Sequence, residues 1–521
     1  MAQHEHEVIS LDEFTESGFW VVEVDGTRIL LIREGDVVRA VGATCPHAGG
    51  PLAEGVRRGE RLICPWHKAT FCLSSGAVLE PPAVDPLPRF DVRVAEGRVF
   101  VRVPARQPET QNATSDQRCF VIVGAGAAGA VAAQTLREAG FGGRVVMLDR
   151  ENRVPYDRTI LSKYALSGEE GAEKSPLQSQ SFYRERGIER CTATVERIEI
   201  GARRLTCADG TEFTYDAALI ATGGVPRRPK LPGIGLGNVF LLRSRADAEA
   251  IVAQAERSER AVVLGTSFIG MEVAASLRER GLDVTVVGKE DVPFSSRLGA
   301  RIGAAFTALH ERRGVKFRLS CEIAALEGDP DVRCVMLRNG ERLAADLVVV
   351  GFGVAPATSG IVGLPIDEDG GIRVDAHLHV ANGLYAGGDI ARFPHRGGGD
   401  PIRVEHWRVA QQHGRVAALN MVGHAVPYEA VPVFWTIQYL KRLDYIGHAE
   451  RWDNIVLHGD IEKPEFLAYY VKDGVVAAAC GLDRDRDTAA LIELMTMRRN
   501  WTAIELGERP ADLLACIAVG R

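Results

Sequence analysis

The arrangement of hydrophobic and polar positions is typical of β-strands in the first 104 residues. Short runs rich in Val, Ile, Leu and aromatic residues alternate with turn residues, as in "FWVVEV", "TRILLIR", "DVVRAV" and "ERLICPW". The sequence "DVRVAEGRVFVRV" predicts a hairpin that turns at Glu96 and Gly97, and the Pro-rich residues 81–88 predict a loop. We therefore expect an all-β domain here.

The pattern changes after residues 105–117, which are polar, rich in Pro, Gln and Thr, and lack periodicity, as a linker does. Residues 118–150 and residues 260–290 then each read as a strand, a helix and a second strand. Two such units predict two doubly wound α/β domains. From residue 429, mixed strand patterns precede a helical tail, which predicts a smaller α+β domain.

Composition narrows the classes of function. A chain of 521 residues is too long for one hydrophobic core, and 46% hydrophobic with 25% charged residues is typical of globular domains. The net charge of -7 provides no basic footprint, so we expect no nucleic-acid partner. No apolar run reaches the length of a membrane span, and the N-terminus lacks a secretory pattern, which favours a cytoplasmic protein.

Two Cys-His pairs carry the first candidate chemistry. Cys45-x-His47 and Cys64-x-x-His67 lie in two loops that also contain proline. Thiolate and imidazole groups bind zinc or iron, but zinc sites more often pair Cys with Cys or His with His. The observed spacing is typical of a Rieske [2Fe–2S] centre, in which two Cys hold one iron and two His hold the other. Nearby Cys72 is predicted to be a buried apolar residue instead.

Residues 8–104 resemble Rieske domains as a whole. High-potential members of that family carry an additional Cys in each ligand loop, joined as a disulfide, and Gly50 and Trp66 stand at those positions here. Ala69 replaces a serine whose hydroxyl often donates to a bridging sulfur. Because fewer donors reach the cluster, the resemblance implies a low reduction potential, on the order of −150 mV.

The first α/β unit opens with the fingerprint Gly124-x-Gly126-x-x-Gly129, between an apolar strand and an Ala-rich helix. Such glycines let a backbone approach a pyrophosphate at a helix N-terminus, although the motif alone also occurs in turns without a ligand. Asp149 ends the next strand, where an acid hydrogen-bonds a ribose hydroxyl. The context therefore predicts a dinucleotide site.

The second fingerprint is weaker, because Gly265-x-Ser267-x-x-Gly270 has Ser at its middle position. Its next strand ends at Gly288, where an acid would indicate NAD, and the chain continues with Lys289 and Glu290. We expect NADH. NADPH stays open, because a lysine there can meet a 2′-phosphate.

With two dinucleotide fingerprints, the chain resembles the FAD-dependent pyridine-nucleotide oxidoreductases of the ferredoxin-reductase and apoptosis-inducing-factor type. Further matching segments are "PYDRTILSKY" (155–164), "LIATGGVPR" (219–227), "LYAGGDI" (384–390), "VEHWRVAQQHGRVAALNM" (404–421) and "VPVFWTIQYLKRLDYIGHA" (431–449). The order of segments is that of the Rieske-containing, apoptosis-inducing-factor-like members. Lys163 alone would more often be a solvated lysine, and His406 with Trp407 a packing pair.

The resemblance implies roles for individual residues. Lys163 would lie near the isoalloxazine, Glu272 would face the nicotinamide-side crevice, and Trp407 would reach the flavin. The remaining cofactor-binding residues that it implies are Arg150, Arg158, Val195, Thr222, Gly223, Gly353, Asp389, Glu405 and His406. No close Cys pair follows residue 118, so the flavin cannot reduce an internal dithiol, as it does in disulfide reductases.

These features predict an oxidoreductase in which FAD takes hydride from NAD(P)H and single electrons pass to the Rieske cluster and on to an external acceptor, a protein or a small molecule. Two alternatives stay open. One is a redox-responsive signalling protein of the apoptosis-inducing-factor type with slow NADH oxidation, and the other is the reductase component of an oxygenase system. We expect a monomer or homodimer, with a linker that lets the Rieske domain move.

The predicted domain boundaries follow the same order along the chain. They are 1–104 for the Rieske domain, 105–117 for the linker, 118–243 and 361–428 for the two parts of the FAD domain, 244–360 for the NAD(P) domain and 429–521 for the C-terminal α+β domain.

Overall fold

The computed structural model describes residues 4–14, 17–106, 116–168, 176–497, 502 and 513–518. Its helices are α1 (Ala127–Glu138), α2 (Tyr164–Ser167), α3 (Gln180–Glu185), α4 (Arg245–Ala255), α5 (Phe268–Glu279), α6 (Ser295–Leu298), α7 (Ala300–Arg312), α8 (Trp407–Val422), α9 (Asp485–Thr496) and α10 (Leu513–Ala518). Within these described ranges, no helix is both long enough and apolar enough to cross a membrane.

Two antiparallel sheets build the N-terminal region, as the strand pattern predicted. Its strands are β1 (His4–Ser10), β2 (Ser17–Val24), β3 (Thr27–Glu34), β4 (Val37–Gly42), β5 (Val56–Arg58), β6 (Arg61–Ile63), β7 (Thr70–Cys72), β8 (Val78–Glu80), β9 (Arg89–Ala95) and β10 (Arg98–Arg106). The larger sheet has the order β1-β10-β9-β4-β3-β2, and β5 to β8 form the smaller sheet, which carries the second ligand loop. The predicted hairpin turn at Glu96 and Gly97 joins β9 to β10, with φ angles of 50° and 71°.

A parallel sheet follows, built on the apolar strand of the first fingerprint. The strands in this part are β11 (Cys119–Val123), β12 (Arg144–Asp149), β13 (Ile188–Thr192), β14 (Val195–Glu199), β15 (Arg204–Cys207), β16 (Glu212–Thr214), β17 (Ala217–Ile220) and β18 (Gly224–Pro226). Strands β11, β12, β13 and β17 pair in parallel, while β14 to β16 form a small antiparallel sheet. Helix α1 leaves the end of β11, so its N-terminus opens at the carboxyl edge of the sheet.

The second fingerprint begins a separate parallel sheet. Its strands are β19 (Val239–Leu241), β20 (Arg260–Leu264), β21 (Asp283–Val287), β22 (Lys316–Arg318), β23 (Ile323–Gly328), β24 (Val332–Leu337), β25 (Arg342–Ala344) and β26 (Leu347–Val350). The order is β19-β26-β20-β21-β22, and β23 to β25 form an antiparallel layer beside it. Helix α5 follows β20, as the sequence predicted.

The chain then returns to the first parallel sheet. Strands β27 (Val354–Pro356), β28 (Ile372–Arg373), β29 (His379–Ala381), β30 (Leu384–Ala386), β31 (Ala391–Phe393) and β32 (Ile402–Arg403) come next. Strand β30 pairs in parallel with β17, which gives the order β13-β12-β11-β17-β30-β29. Helix α8 packs along α1, where a Cβ at Gly414 would lie 2.1 Å from the Ala128 carbonyl oxygen.

The last region is a five-stranded antiparallel sheet covered by α9 and α10. Its strands are β33 (Val433–Gln438), β34 (Lys441–Gly447), β35 (Asn454–Asp460), β36 (Glu465–Lys472) and β37 (Val475–Leu482), in the order β33-β34-β37-β36-β35. The predicted fold class is confirmed: an all-β N-terminal domain, two doubly wound α/β domains and a C-terminal α+β domain.

The N-terminal domain is docked on the rest of the chain. Val56 and Ile63 pack into the apolar core between the C-terminal sheet and its helices. Arg408 of α8 is buried and donates to the carbonyl oxygens of Pro81 at 2.9 Å and Lys68 at 3.3 Å. The central linker residues, 107–115, lie outside the described part of the chain.

Candidate functional site

The four predicted cluster ligands converge at one tip of the N-terminal domain. The neighbouring thiols of Cys45 and Cys64 each shift the pKa of the other, and the rings of His47 and His67 meet edge to face with centroids 4.8 Å apart. A backbone hydrogen bond closes each ligand loop, from Cys45 N to the Gly50 carbonyl oxygen at 2.9 Å and from Cys64 N to the Ala69 carbonyl oxygen at 2.8 Å. Two short loops thus present two sulfur and two nitrogen donors together.

The donor arrangement fits a two-iron cluster better than a single zinc ion. The two thiols are neighbours and the two imidazoles are neighbours, so the donors form one sulfur pair and one nitrogen pair. A tetrahedral zinc site needs four ligands at one point, whereas a Rieske cluster needs only two at each iron. The interaction between the two thiols lowers the pKa of Cys64 and raises that of Cys45, so Cys64 loses its proton first. Burial lowers the pKa of both His47 and His67, which favours the neutral imidazole that binds metal.

The positions where high-potential Rieske domains carry two additional cysteines are sterically matched to Gly50 and Trp66. A Cβ at Gly50 would lie 2.7 Å from the Cys64 sulfur and 3.3 Å from the Trp66 ring. Gly50 and Trp66 therefore face each other, and no side chain fits at Gly50 without displacing a ligand. Cys72 is half-buried with its sulfur 3.2 Å from the Ser74 hydroxyl, so it is neither a ligand nor the fully buried residue that we expected.

A cavity of about 550 Å³ opens where the carboxyl edges of the parallel sheets meet the C-terminal domain. Such crevices at strand ends are the usual dinucleotide sites of α/β sheets. The predicted residues that line it are Gly124, Gly126, Asp149, Arg150, Arg158, Lys163, Thr222, Gly223, Glu272, Gly353, Asp389, Glu405, His406 and Trp407. Folding thus brings together fourteen residues that are spread over most of the chain.

The first glycine fingerprint is shaped for a phosphate. Gly124 has φ 105°, and a Cβ there would lie 2.3 Å from the Ala221 carbonyl oxygen. A Cβ at Gly129 would lie 1.8 Å from the Gly124 carbonyl oxygen, so the turn and α1 pack backbone to backbone. A Cβ at Gly126 would meet nothing within 4 Å, which leaves room before the helix N-terminus. Thr222 Oγ1 and Trp407 Nε1 are buried polar atoms for which the described residues offer no partner. These features fit a bound FAD.

The second fingerprint keeps the same backbone packing with a serine at its centre. Gly265 has φ 107°, and a Cβ at Gly270 would lie 2.6 Å from the Gly265 carbonyl oxygen. Ser267 Oγ accepts a hydrogen bond from Gly270 N at 3.1 Å and thereby caps α5. The cap explains why serine can replace the usual glycine at this position. The motif alone did not indicate that role.

The acid expected at the end of β21 is displaced for a steric reason. A Cβ at Gly288 would lie 2.6 Å from Thr266 Cγ2, so no larger residue fits there. Lys289 is exposed and pairs with Glu322 at 3.0 Å, and Glu290 accepts a hydrogen bond from Ser296 at 3.3 Å. Both predicted residues lie beside the fingerprint but not on the cavity wall.

Four other predicted contacts also lie off the cavity wall. Gly129, Gly265 and Gly270 act in backbone packing, and Val195 is a buried core residue of β14. Several cavity residues were not predicted, among them Arg243, Phe434 and Trp435. Arg243 pairs with Asp389 at 3.0 Å, but its position in the sequence matches no motif that would have identified it.

Glu272 is a buried carboxylate with three side-chain donors. Lys163 Nζ lies 2.9 Å from Glu272 Oε2, Ser162 donates to the same oxygen, and Thr436 Oγ1 donates to Oε1 at 2.7 Å. Behind Thr436, Gln438 donates to its hydroxyl at 3.2 Å and His310 Nε2 lies 2.7 Å from Gln438 Oε1. Burial lowers the pKa of His310 to about 4, so this imidazole is neutral near pH 7. The row of donors fixes the position of the Glu272 carboxylate beside Lys163.

Aromatic rings close the cavity on the side of the C-terminal domain. His406 stacks on Phe434 with centroids 4.2 Å apart and planes 2° apart, and burial lowers the pKa of His406 to about 3. Burial raises the pKa of neighbouring Glu405, against the opposing effect of Arg403. Trp407 begins α8 directly after this pair.

The cluster ligands reach the cavity through one aromatic contact. The ring of His67 lies against Trp435, with centroids 5.0 Å apart, and Trp435 lines the cavity. On the other side, His47 Nε2 lies 4.0 Å from Asp157 Oδ2, next to the loop that carries Arg158 and Lys163. Both imidazole ligands therefore face the flavin-side domains.

Comparison with known proteins agrees with this architecture. Residues 119–414 match the family described as pyridine nucleotide-disulphide oxidoreductase, residues 4–91 the Rieske [2Fe-2S] domain and residues 433–517 the reductase C-terminal domain. Human apoptosis-inducing factor 3 is 34% identical over 497 residues, which cover 92% of this chain and 82% of the human protein. The ferredoxin reductase subunit of a 5,5'-dehydrodivanillate O-demethylase from Sphingobium sp. is 35% identical over 372 residues, 70% of this chain and 90% of that subunit.

A solved structure extends the comparison to a complex. The covalent complex of putidaredoxin reductase with putidaredoxin has a TM-score of 0.73 and 28% identity, and the match covers 78% of this chain and 99% of that one. The chain belongs to the pyridine nucleotide-disulphide oxidoreductase family, in the form with an N-terminal Rieske domain and a reductase C-terminal domain, and is an FAD-dependent NAD(P)H oxidoreductase that also carries a [2Fe–2S] cluster.

Proposed function

We propose that this chain takes electrons from NADH and passes them through its FAD and its own Rieske cluster to a protein acceptor, as the reductase of a multicomponent redox system. The contact between His67 and Trp435 carries the proposal, because it joins a cluster ligand directly to the flavin cavity. Relatives named as ferredoxin reductases of oxygenase systems support the choice of a protein acceptor.

In this proposal the domains divide the work at the boundaries predicted from the sequence. The glycine turn at Gly124 and Gly126, with Asp149 and Asp389, would hold the FAD. The second fingerprint, with Gly353 and Glu290, would hold NADH, and Lys289 would decide how well a 2′-phosphate is tolerated. Cys45, His47, Cys64 and His67 would hold the two irons.

FAD supplies the conversion between hydride transfer and single-electron transfer. Oxidation of one NADH gives NAD⁺, one proton and two electrons, and the electrons leave singly to two acceptor molecules. Lys163, held by Glu272, places a positive charge in the cavity, where it stabilises negative charge on a reduced ring system. The stacked pair of His406 and Phe434 excludes water from the same wall.

The acceptor would approach the one side of the ligand loops that the other domains leave open. Pro46, Ala48 and Gly49 are exposed next to His47, whereas both imidazoles face inward. We further propose that the protein works in the cytoplasm as a monomer or a homodimer.

An anaerobic titration with NADH, followed by absorbance and low-temperature EPR, tests the proposal. We expect a reduced-Rieske signal to grow as the flavin absorbance bleaches. If the flavin bleaches in iron-replete protein and the EPR signal does not grow, the internal route is refuted. NADPH in a parallel titration measures the preference between the two nucleotides.

A second candidate function follows from the human relative, whose match includes the Rieske region and covers 92% of this chain. In that alternative the protein is a redox-responsive signalling protein, and nucleotide binding rather than turnover is its output. Turnover with NADH and a one-electron protein acceptor distinguishes the two. Tens of turnovers per second support the reductase, whereas slow turnover with a long-lived charge-transfer complex supports the switch.

A further inference from the structure

Two successive residues of the second ligand loop contact two residues that face each other on the C-terminal hairpin. His67 lies against Trp435 on β33, with ring centroids 5.0 Å apart. The next residue, Lys68, pairs with Asp444 on β34, with Nζ 2.7 Å from Oδ2. Trp435 and Asp444 are direct partners in the antiparallel register of these strands. The loop is therefore held at two adjacent points of one rigid ladder.

The ion pair between Lys68 and Asp444 is closed to solvent. Their side chains are 0% and 2% exposed. The Lys68 ammonium also donates to the carbonyl oxygens of Trp66 at 3.2 Å and Asp485 at 3.1 Å, and to that of Pro65. All three of its protons are thus committed, and the partners come from its own loop and from the C-terminal domain.

Lys68 occupies a left-handed turn of the ligand loop. Its φ of 65° lies in the left-handed region, where glycine is the usual residue. From this left-handed turn the Lys68 side chain reaches Asp444. Arg442, on the same strand as Asp444, donates to the Pro65 carbonyl oxygen at 3.1 Å, and Thr488 of α9 donates to Asp444 at 3.0 Å. The site is built from both sides.

We propose that Lys68 and Asp444 are positioning residues that hold the His67 imidazole against Trp435 and so set the rate at which electrons leave the flavin for the cluster. This inference rests on the proposed function and deepens it. Neither residue lines the flavin cavity, and neither is a cluster ligand. Their effect is on geometry: without the pair, the ligand loop keeps its metal but loses its fixed distance to the indole.

The test uses the full-length holoprotein and the variants Lys68→Met and Asp444→Asn. Methionine keeps the volume of the lysine stem and removes the ammonium, and Asp444→Asn removes the partner charge from the C-terminal domain without altering any residue of the ligand loop. Rapid mixing with NADH, followed by freeze-quenched EPR, measures cluster reduction, and stopped-flow absorbance measures flavin reduction in the same samples. Lys472→Met is the control, because Lys472 forms a comparable ion pair with Asp453, at 3.2 Å, on the surface of the C-terminal domain that carries Asp444.

We expect cluster reduction to slow by about tenfold to a hundredfold in either variant, as small misplacements of reacting groups do. Flavin reduction by NADH, iron content and the EPR g-values of the chemically reduced cluster should match the wild type and Lys472→Met. A wild-type rate of cluster reduction in both variants overturns the inference. If Lys68→Met does not retain its cluster, Asp444→Asn alone decides the question. A wild-type protein whose cluster is never reduced by NADH refutes the proposed function instead, so the two failures are distinguishable.

Discussion

The ion pairs between Arg58, Arg61 and Glu493 predict an unequal response to mutation on the two sides of the Rieske interface. Arg58 Nε and Arg61 Nε of the N-terminal domain donate to the Glu493 carboxylate of α9 at 2.6 and 3.1 Å. The Glu493 side chain is 0% exposed, whereas those of Arg58 and Arg61 are 35% and 26% exposed. Among the described residues, Arg58 and Arg61 are the side chains that donate hydrogen bonds to this carboxylate, and both arginines keep access to water.

The double variant Arg58→Met with Arg61→Met leaves a buried charge without a partner. Such a change costs about 3 to 5 kcal/mol in the free energy of opening the interface. Glu493→Gln removes the charge itself and lets the arginines turn to water, so we expect about 1.5 to 3 kcal/mol, the value of a charge-assisted hydrogen bond. Replacing all three with apolar residues, as Arg58→Met, Arg61→Met and Glu493→Leu, should recover most of the loss.

Hydrogen exchange measured by mass spectrometry gives the opening free energy at the interface. The reporting peptides span β5 to β6 and α9, and a peptide of β11, in the core of the first parallel sheet, is the internal reference. At about 1.4 kcal/mol for each factor of ten, the arginine variant should exchange about a hundredfold to a few thousandfold faster in the reporting peptides. Arg342→Met, which breaks an exposed pair with Glu327, should leave these rates unchanged.

Two results would contradict this reasoning. Equal costs for the arginine variant and Glu493→Gln would mean that water reaches the carboxylate and that it is not desolvated. A triple variant as unstable as the arginine variant would mean that packing, rather than the uncompensated charge, holds the domain in place.

Four further predictions follow from the described contacts. Trp435→Leu should slow cluster reduction at least about tenfold without slowing flavin reduction. Trp20→Leu, at an exposed tryptophan, is the control. Equal rates of cluster reduction in the two variants would exclude the Trp435 contact from the route. Gly124→Ala should yield protein without FAD by absorbance, because its Cβ would meet the Ala221 carbonyl at 2.3 Å, whereas Gly26→Ala, with open space around it, should retain FAD. Glu272→Gln should raise the flavin midpoint potential in a spectroelectrochemical titration, because Lys163 loses its counter-charge, and an unchanged potential would place that charge too far from the ring. Stability should fall on acidification from about pH 6.5, because burial lowers the pKa of His310 to about 4 and of His406 and His413 to about 3. Unfolding therefore takes up protons between about pH 6.5 and 3. His413→Gln should make the melting temperature depend less on pH in this window, and parallel profiles for the variant and the wild type would contradict the assignment.

The local parts of the site could be predicted from the sequence because short motifs encode them. Gly129 is required by its contact with Gly124 within one strand–turn–helix unit, and Cys45 with His47 by the closure of one loop. Strand and helix periodicity likewise predicted the fold class, since each domain buries its own apolar face. Val195 shows the limit of transfer by resemblance, because its side chain packs into the core of β14 instead of reaching the cavity.

The contacts between domains could not be predicted in this way. Trp435, Asp444 and Glu493 sit in ordinary strand and helix patterns, and each gains its meaning only from a residue hundreds of positions away in the N-terminal domain. Ser267 was seen as a weakened glycine, whereas in the fold it is a helix cap. Tertiary partnership leaves no periodic signal in one sequence, so the linker pattern carries no information about the docked interface.

The docked interface gives a physical reason for fusing the two redox modules in one chain. A separate carrier protein has to find its reductase by diffusion, and its electron transfer is limited by how often the correct orientation forms. Here Lys68, Arg408 and Glu493 are charged groups that lie fully buried at the contact, and buried charges hold one geometry because any other leaves them unpaired. Burying these charged groups costs desolvation free energy, and an interface can carry that cost where a fixed orientation matters more than stability. In this geometry His67 already faces the flavin cavity, so the route that we propose starts from a docked Rieske domain and ends with an acceptor at the exposed loop beside His47.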